Sequence, residues 1–367
     1  MKSNTTCYRP SSNTDIQMLQ TATFTPISID WLSLSCKVIS APNQVYQVER
    51  SKYSTSIFKY VDHYKHNTIT FAIVTHTPKS GILPPDTAIV KFSNWFIYDE
   101  FSMLNIWRII EELGLKYEGI NRCDIAIDFN SFANNLQPES LIKGYFTGKY
   151  TKIGRGKFKT IGRNHSSVIF DYLRFGNYRS NFSVYLYNKS QEFREVEDKL
   201  HIRQVWTAAG LNDNIDVWRL EVSIKGRGNY LTDTETGEMH EINLISILDD
   251  YSLKMIYKTA IAIHFDIRHQ QQNKRRENLK KVQLFRNWGD VKHKLVKVTR
   301  QSDPNKMKKA TLKILVDTWD EIRENKKHET NEIREAARIL AEYYNLTKYL
   351  SEKTKFEDLL TLEDDEK

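Results

Sequence analysis

Three segments of this chain alternate between apolar and polar residues, and this alternation constrains the fold more than any other feature. In a β-strand, successive side chains point to opposite faces. Over 119–129, Cys123, Ile125, Ile127 and Phe129 share one face, and Arg122, Asp124, Ala126 and Asp128 share the other. Over 216–225, Trp218, Leu220, Val222 and Ile224 stand opposite Arg219, Glu221, Ser223 and Lys225. Over 181–189, Phe182, Val184 and Leu186 stand opposite Tyr185, Tyr187 and Lys189. Strands with one dry face read as antiparallel sheet. One such strand reads as ordinary sheet with a wet face. Three of them carrying carboxylates, tyrosines and cations on that face point to a site.

Two of these strands also match each other. Arg122-Cys-Asp124-Ile-Ala-Ile127 and Arg219-Leu-Glu221-Val-Ser-Ile224 both read Arg, apolar, acid, aliphatic, small, Ile. The parallel suggests two pseudo-repeated halves, with Asp124 and Glu221 in equivalent places on one sheet.

The rest of the chain supplies a frame for these strands. Residues 1–25 form a polar segment. The β-branched runs 68–75 and 87–93 flank Pro78, Gly81, Pro84 and Pro85, which reads as a hairpin. Met103, Ile106, Trp107, Ile110 and Leu113 recur at helical spacing, which predicts a helix over 99–113 capped by Gly114. A further strand is expected over 166–173. From about 240 the pattern turns helical, with an apolar stripe at Ile333, Ala336, Ala337, Leu340 and Tyr344. The expected organisation is therefore a strand-rich domain over 26–240, a boundary near 240–255, a helical C-terminal domain over 241–355 and an acidic tail over 356–367.

Charge narrows the class of partner. The net charge is +8, and Glu357–Lys367 alone contributes −5, which leaves +13 on the remainder. A basic body favours a polyanion. Lys149, Lys152, Arg155, Lys157, Lys159 and Arg163 lie in a glycine-punctuated stretch with interleaved aromatics, which suits phosphates and stacked bases. Lys274, Arg275 and Arg276 form a second candidate DNA surface. The three cysteines, Cys7, Cys36 and Cys123, are widely spaced, which argues for a reducing cytosol and against a cysteine zinc site. No signal peptide or apolar run of membrane-spanning length is visible. The ten histidines form no His-apolar-His pair, and phosphate-loop, nucleophile-elbow and HExxH patterns are missing.

The segments Asn121-Arg-Cys-Asp-Ile-Ala-Ile-Asp-Phe129, Tyr185-Leu-Tyr-Asn-Lys-Ser-Gln-Glu192 and Val217-Trp-Arg-Leu-Glu-Val-Ser-Ile-Lys225 resemble, in the same order, the replication-initiation (Rep_trans) family of small staphylococcal rolling-circle plasmids. The resemblance covers roughly 50–230. It implies a metal-dependent tyrosine endonuclease and strand transferase, and an α+β catalytic domain built around antiparallel sheet. Its nucleophile, the tyrosine of a Tyr-Asn-Lys motif, falls on Tyr187, with Asn188 and Lys189 beside it. Tyr185, on the same face, is the rival. Arg122 and Arg219 are expected either to contact phosphate or to pair with their neighbours.

Asp124, Glu221 and Asp128 are the candidate ligands for Mg²⁺ or Mn²⁺, which favour hard oxygen donors. Asp124 and Asp128 are separated by roughly 13 Å on a straight strand, so Asp128 is expected to position rather than to ligate. Implied partners are origin DNA, single-stranded at the nick, a second copy of the chain and a host helicase. A mobilisation relaxase with the same chemistry and a non-catalytic DNA-binding regulator are the alternatives.

Overall fold

The computed structural model describes residues 24–79, 83–153, 158–161, 171–176, 180–195, 199–271, 274–275, 278–285, 291–297 and Ile339. The chain divides into two compact units, Met1–Lys297 and Val298–Lys367, and the sheet and its helices belong to the first. Residues 1–23 of the polar segment over 1–25, most of the proposed helical domain and the acidic tail lie outside the described residues.

The first unit opens with β1 (Ser28–Val38), β2 (Gln47–Arg50), β3 (Phe58–His66), β4 (Ile69–Pro78) and β5 (Thr87–Phe92). Three short helices follow, α1 (Asn94–Tyr98), α2 (Glu100–Leu104) and α3 (Ile106–Glu112), and then the long strand β6 (Leu115–Phe129). Helix α4 (Pro138–Phe146) leads to β7 (Tyr150–Ile153), β8 (Phe158–Ile161), β9 (Tyr172–Phe175) and β10 (Phe182–Asn188). Helices α5 (Lys189–Glu195) and α6 (Leu200–Ala208) precede β11 (Trp218–Lys225). The unit ends with β12 (Asn229–Asp233), β13 (Met239–Glu241), α7 (Leu244–Leu248), α8 (Asp250–His264), β14 (Asp266–His269) and β15 (His293–Lys297).

Ten strands form one antiparallel sheet in the order β2-β3-β4-β5-β1-β6-β11-β10-β9-β8. The three segments read from the sequence, on β6, β11 and β10, are adjacent strands at its centre. Their apolar faces form the core: Cys123, Ile125, Phe129, Leu220, Val222, Ile224, Val184 and Leu186 are inaccessible to solvent, and Phe182 packs against them partly buried. Helix α8 covers this face with Ile256, Tyr257 and Ala260, and the Tyr257 hydroxyl donates to the Leu220 carbonyl at 2.7 Å. Each large side chain so enclosed contributes about 1.5–3 kcal/mol. Cys36 and Cys123 are free thiols within this core, where burial pushes both above their ordinary range.

The hairpin expected around Pro84 is present as β4 and β5, paired antiparallel. The single helix predicted over 99–113 is instead α2 and α3, preceded by α1. Asp99 is extended and caps α2 by accepting the Ser102 N–H at 2.8 Å, so it starts a new helix after α1. Gly114 caps α3 as expected, at φ +70°, and a Cβ there would collide with the Ser40 carbonyl oxygen.

The boundary placed near 240–255 falls inside a compact unit, and the chain divides after Lys297 instead. Two pairings hold this stretch in: β14 runs antiparallel to β7, and β15 to β12. The helical pattern read from about 240 is real in α7 and α8, but strands β13, β14 and β15 interleave with it.

Candidate active site

The register of the central strands turns the polar face into a grid. One row holds Asp128, Arg219, Tyr187 and Tyr172, each the direct cross-strand partner of the next. The next row holds Ala126, Glu221, Tyr185 and Arg174. A third holds Trp31, Asp124, Ser223 and Ser183. A fourth holds Lys91, Ser33, Arg122 and Lys225. All four rows lie on one face because direct partners in an antiparallel pair point the same way. Asp124 opposite Ser223 and Glu221 opposite Ala126 occupy equivalent positions about the local dyad between β6 and β11.

The centre of this face is dry. Asp124, Asp128, Tyr187, Lys189, Arg219 and Glu221 are all buried. The wet-face reading of these strands is thus corrected at the centre, where Tyr98 of α1, Lys189 of α5 and Trp206 of α6 close over the sheet. Asn188 ends β10 and caps α5, accepting the Gln191 N–H at 2.9 Å. Lys189 therefore leaves the strand and becomes the first residue of a helix, not a solvated strand end.

Arg219 is the electrostatic hub. Its Nε and Nη2 donate to the two oxygens of Asp128 at 2.6 and 2.7 Å, a bidentate pair. Its Nη1 lies against Asp30 as an ion pair without hydrogen-bond alignment, and its Nη2 also reaches the Tyr98 hydroxyl at 3.2 Å. Burial would discharge the guanidinium, but Asp128 and Asp30 outweigh it and hold its pKa well above the usual value. Asp128 also accepts the Trp206 indole N–H at 2.6 Å. Both of its oxygens are therefore engaged.

Asp30 stands at a β-bulge. Ile29 faces Ile125 while Trp31 faces Asp124, so Asp30 is the extra residue. The Tyr98 hydroxyl donates to its carboxylate at 3.0 Å. Burial would raise its pKa, yet Arg219 and Lys189 hold the carboxyl well below its ordinary range.

Tyr187 donates its hydroxyl to Glu221 Oε2 at 3.0 Å. Burial, followed by the charges of Asp124 and Asp30, pushes Glu221 up to about 8 against the pull of Arg219 and Lys189. Burial and the Glu221 charge hold the Tyr187 phenol well above its ordinary value. The Lys189 ammonium lies 5.5 Å from the Tyr187 ring centroid and donates to Glu192 at 2.9 Å. Burial and the neighbouring Arg219 lower its pKa. Asp124 is raised by burial, although Arg122 grips both of its oxygens at 3.0 and 2.5 Å.

Among the described residues, no three His, Cys, Asp or Glu side chains converge as metal ligands. Asp124 and Glu221 remain as a pair of hard donors one diagonal apart, each beside a small partner, Ser223 or Ala126. That donor set fits Mg²⁺, which is held by one or two carboxylates and completed by water and phosphate.

No family model matches the chain, and no curated protein matches it. Among solved structures it is similar to a rolling circle replication initiator protein from Geobacillus stearothermophilus. The TM-score is 0.39 and the identity 14%, over 71% of this chain and 94% of that one.

The structure thus gathers Tyr187, Lys189, Arg122, Arg219, Asp124, Glu221 and Asp128 on one face. Tyr185 is on that face too, half-buried, with the Arg174 guanidinium 4.9 Å from its ring centroid. Lys149, Lys274 and Arg275 are exposed elsewhere, and burial pushes the Lys152 amine down to about 8. Arg155, Lys157, Arg163 and Arg276 lie outside the described residues, as does the Lys159 side chain. Sequence reasoning missed Asp30, Tyr98 and Trp206. The signal for Asp30 was present: the alternation of Ile29, Leu32, Leu34 and Cys36 slips by one residue at Asp30-Trp31. Tyr98 and Trp206 sit on short helices and carry no local mark of their role.

Proposed function

We propose that this chain cleaves single-stranded DNA with Tyr187 and keeps the 5′ end, as an initiator of rolling-circle replication does. The observation that carries this reading is the Tyr187–Glu221 hydrogen bond on a face where the three motif segments meet. A phenol with an ordinary pKa near 10 is a weak nucleophile until its proton has an acceptor. Glu221 is that acceptor in its ionised form, and burial moves its ionisation up to about 8, so the base becomes available as pH rises towards that value.

The Tyr187 oxygen attacks the scissile phosphorus, and its proton passes to Glu221 Oε2. The bond from phosphorus to the 3′ oxygen breaks. The phosphate stays on the tyrosine with the 5′ end of the strand, and the departing 3′ oxygen takes up a proton to become a free hydroxyl. Lys189 and Arg219 supply positive charge around the phenolate as it forms. Asp128, Asp30 and Tyr98 hold Arg219 in place. Asp124 and Glu221 would hold Mg²⁺ or Mn²⁺, which would offset the charge that develops on the phosphate.

The test is covalent trapping. The protein and its Tyr187→Phe and Tyr185→Phe variants are mixed with single-stranded DNA from the encoding replicon, with Mn²⁺ or EDTA, and resolved on a denaturing gel. A Mn²⁺-dependent DNA-linked protein that disappears only with Tyr187→Phe is the expected result. No adduct from any of them, despite tight binding, would leave a non-catalytic DNA-binding protein. A plasmid carrying the cognate origin that replicates only with this protein separates an initiator from a mobilisation relaxase.

A further inference from the structure

One guanidinium on the face of the site is matched by no carboxylate. Arg122 pairs with Asp124, Arg219 with Asp128 and Asp30, and Lys189 with Glu192. Arg174 on β9 differs: among the described residues it makes no ion pair, and its buried Nε meets no hydrogen-bond acceptor. Its guanidinium lies 4.9 Å from the ring centroid of Tyr185, its direct partner on β10. A ring face attracts a cation through its quadrupole and leaves the charge in place. Burying a donor that no acceptor meets costs stability. The fold therefore keeps a charged fork, incompletely satisfied, at a fixed position. Arg174 and Tyr185 are both half-buried, so that position can be reached from the face.

The position is next to the chemistry. Arg174, Tyr185 and Glu221 follow one another along one row of the grid, on β9, β10 and β11. Tyr187 belongs to the adjoining row, but its hydroxyl crosses over to donate to Glu221 Oε2 at 3.0 Å. The nucleophilic oxygen thus lies at the Glu221 end of the row and Arg174 at the other, with the Tyr185 ring between them. Strands spaced at about 4.8 Å put the Arg174 and Glu221 backbones roughly 10 Å apart, a span that one phosphate held at both ends can bridge. Arg174 is also the diagonal neighbour of Tyr187 across β9 and β10, a relationship within reach of long side chains.

We infer that Arg174, held on the ring of Tyr185, binds the phosphate that Tyr187 attacks. The inference rests on the DNA-cleaving reading for the identity of that phosphate. A planar guanidinium matches two phosphate oxygens at once, which an ammonium does not. As the tyrosine oxygen bonds to phosphorus and the 3′ oxygen leaves, the two non-bridging oxygens remain on the phosphate, and Arg174 offsets their charge throughout. The phosphate in turn brings acceptors to a guanidinium to which the fold offers none. Two neighbouring tyrosines then have separate tasks. Tyr187 supplies the nucleophile, and Tyr185 is a positioning residue that acts through its ring and not its hydroxyl.

The experiment reads binding and chemistry separately. Binding of labelled single-stranded DNA from the encoding replicon is followed by fluorescence anisotropy across a salt series in EDTA. Adduct formation is followed on denaturing gels in single turnover, at saturating DNA with Mn²⁺. Arg174→Ala is expected to slow adduct formation about 100-fold, the usual worth of a donor aimed at charge in the transition state. It should also reduce the slope of log K against log salt by about 0.7, the value for one phosphate contact on a single strand. Arg174→Lys should restore the slope and little of the rate. Tyr185→Phe keeps the ring and should match wild type in both. Tyr185→Leu should keep the slope and slow the adduct about tenfold, the worth of a partly desolvated cation–π contact. Melting curves check that each variant is folded.

Wild-type adduct rates in a folded Arg174→Ala would overturn the inference, leave the Tyr187 reading standing and reduce the Arg174–Tyr185 contact to a structural one. A reduced slope with an unchanged rate would place Arg174 on a different phosphate and overturn it too. A rate lost in Tyr185→Phe as fully as in Tyr185→Leu would overturn the role of the ring. A wild-type chain that binds the DNA and forms no adduct would reject the nuclease reading and the inference together.

Discussion

The Tyr187 hydroxyl and the Glu221 carboxylate meet diagonally between adjacent strands: Tyr187 is the direct partner of Arg219, and Glu221 that of Tyr185. The pairing gives the Tyr187 hydroxyl a carboxylate as acceptor, whereas the Tyr185 hydroxyl donates to the Ser183 hydroxyl at 3.5 Å. Tyr187→Phe should abolish the DNA adduct and lower stability by only about 1–3 kcal/mol, the cost of leaving a buried acceptor unsatisfied. Tyr185→Phe should keep the adduct. Gel trapping and urea denaturation read the two effects separately.

Glu221→Gln keeps the shape and removes the acceptor. Adduct formation should fall by about two to four orders of magnitude, the usual worth of a positioned base. Stability should respond in the opposite direction. The folded-state pKa of about 8 lies above the ordinary 4.5, so between these values the folded chain holds a proton that the unfolded chain has lost. Wild-type stability in EDTA should therefore fall as pH rises through that window, and Glu221→Gln should flatten the fall. Melting curves between pH 5 and 8 measure it.

Arg219→Ala leaves Asp128 and Asp30 facing each other in a buried site. The expected loss is about 3–5 kcal/mol by urea denaturation, the range for breaking a buried ion pair from one side. Arg219→Ala combined with Asp128→Ala should cost less than the sum of the two single changes, because the pair is removed together. Additive losses would mean that Arg219 stabilises the fold chiefly through other contacts.

Much of this arrangement was legible in the residues because strand period two is a local signal. Arg122, Asp124, Arg219, Glu221 and Tyr187 could be assigned to one face from spacing alone, and adjacency of their strands supplied the rest. The misreadings have two physical sources. Lys189 was read as a strand residue, yet Asn188 caps a helix there, and a cap is decided by the backbone that follows it. Each strand taken singly reads as wet on its polar face, because nothing in a strand reveals which helix will cover it. Trp206 and Tyr98 are far from the strands in sequence and reach Asp128 and Asp30 only through tertiary packing. The boundary near 240–255 failed for the same reason: the pairings β7–β14 and β12–β15 join distant segments of low periodicity.

Lys152 gives a pH-dependent test at a distance from the site. Its ammonium lies 5.2 Å from the Phe175 ring centroid, and burial brings its pKa down to about 8 from 10.5, with Asp266 pulling it back up. Below pH 8 the folded chain must keep this amine charged in an apolar setting, so the penalty is fully present there. Between 8 and 10.5 the folded chain releases a proton that the unfolded chain retains, and stability rises with pH. Lys152→Met should therefore raise the melting temperature at neutral pH, and the advantage should shrink as pH climbs through that window. The same variant tests the DNA role proposed for Lys152. A smaller salt slope in oligonucleotide binding, together with the raised melting temperature, would mean that the lysine is retained for phosphate contact at the expense of stability. An unchanged slope would remove Lys152 from the DNA-binding residues and leave it as a half-buried charge that the fold tolerates.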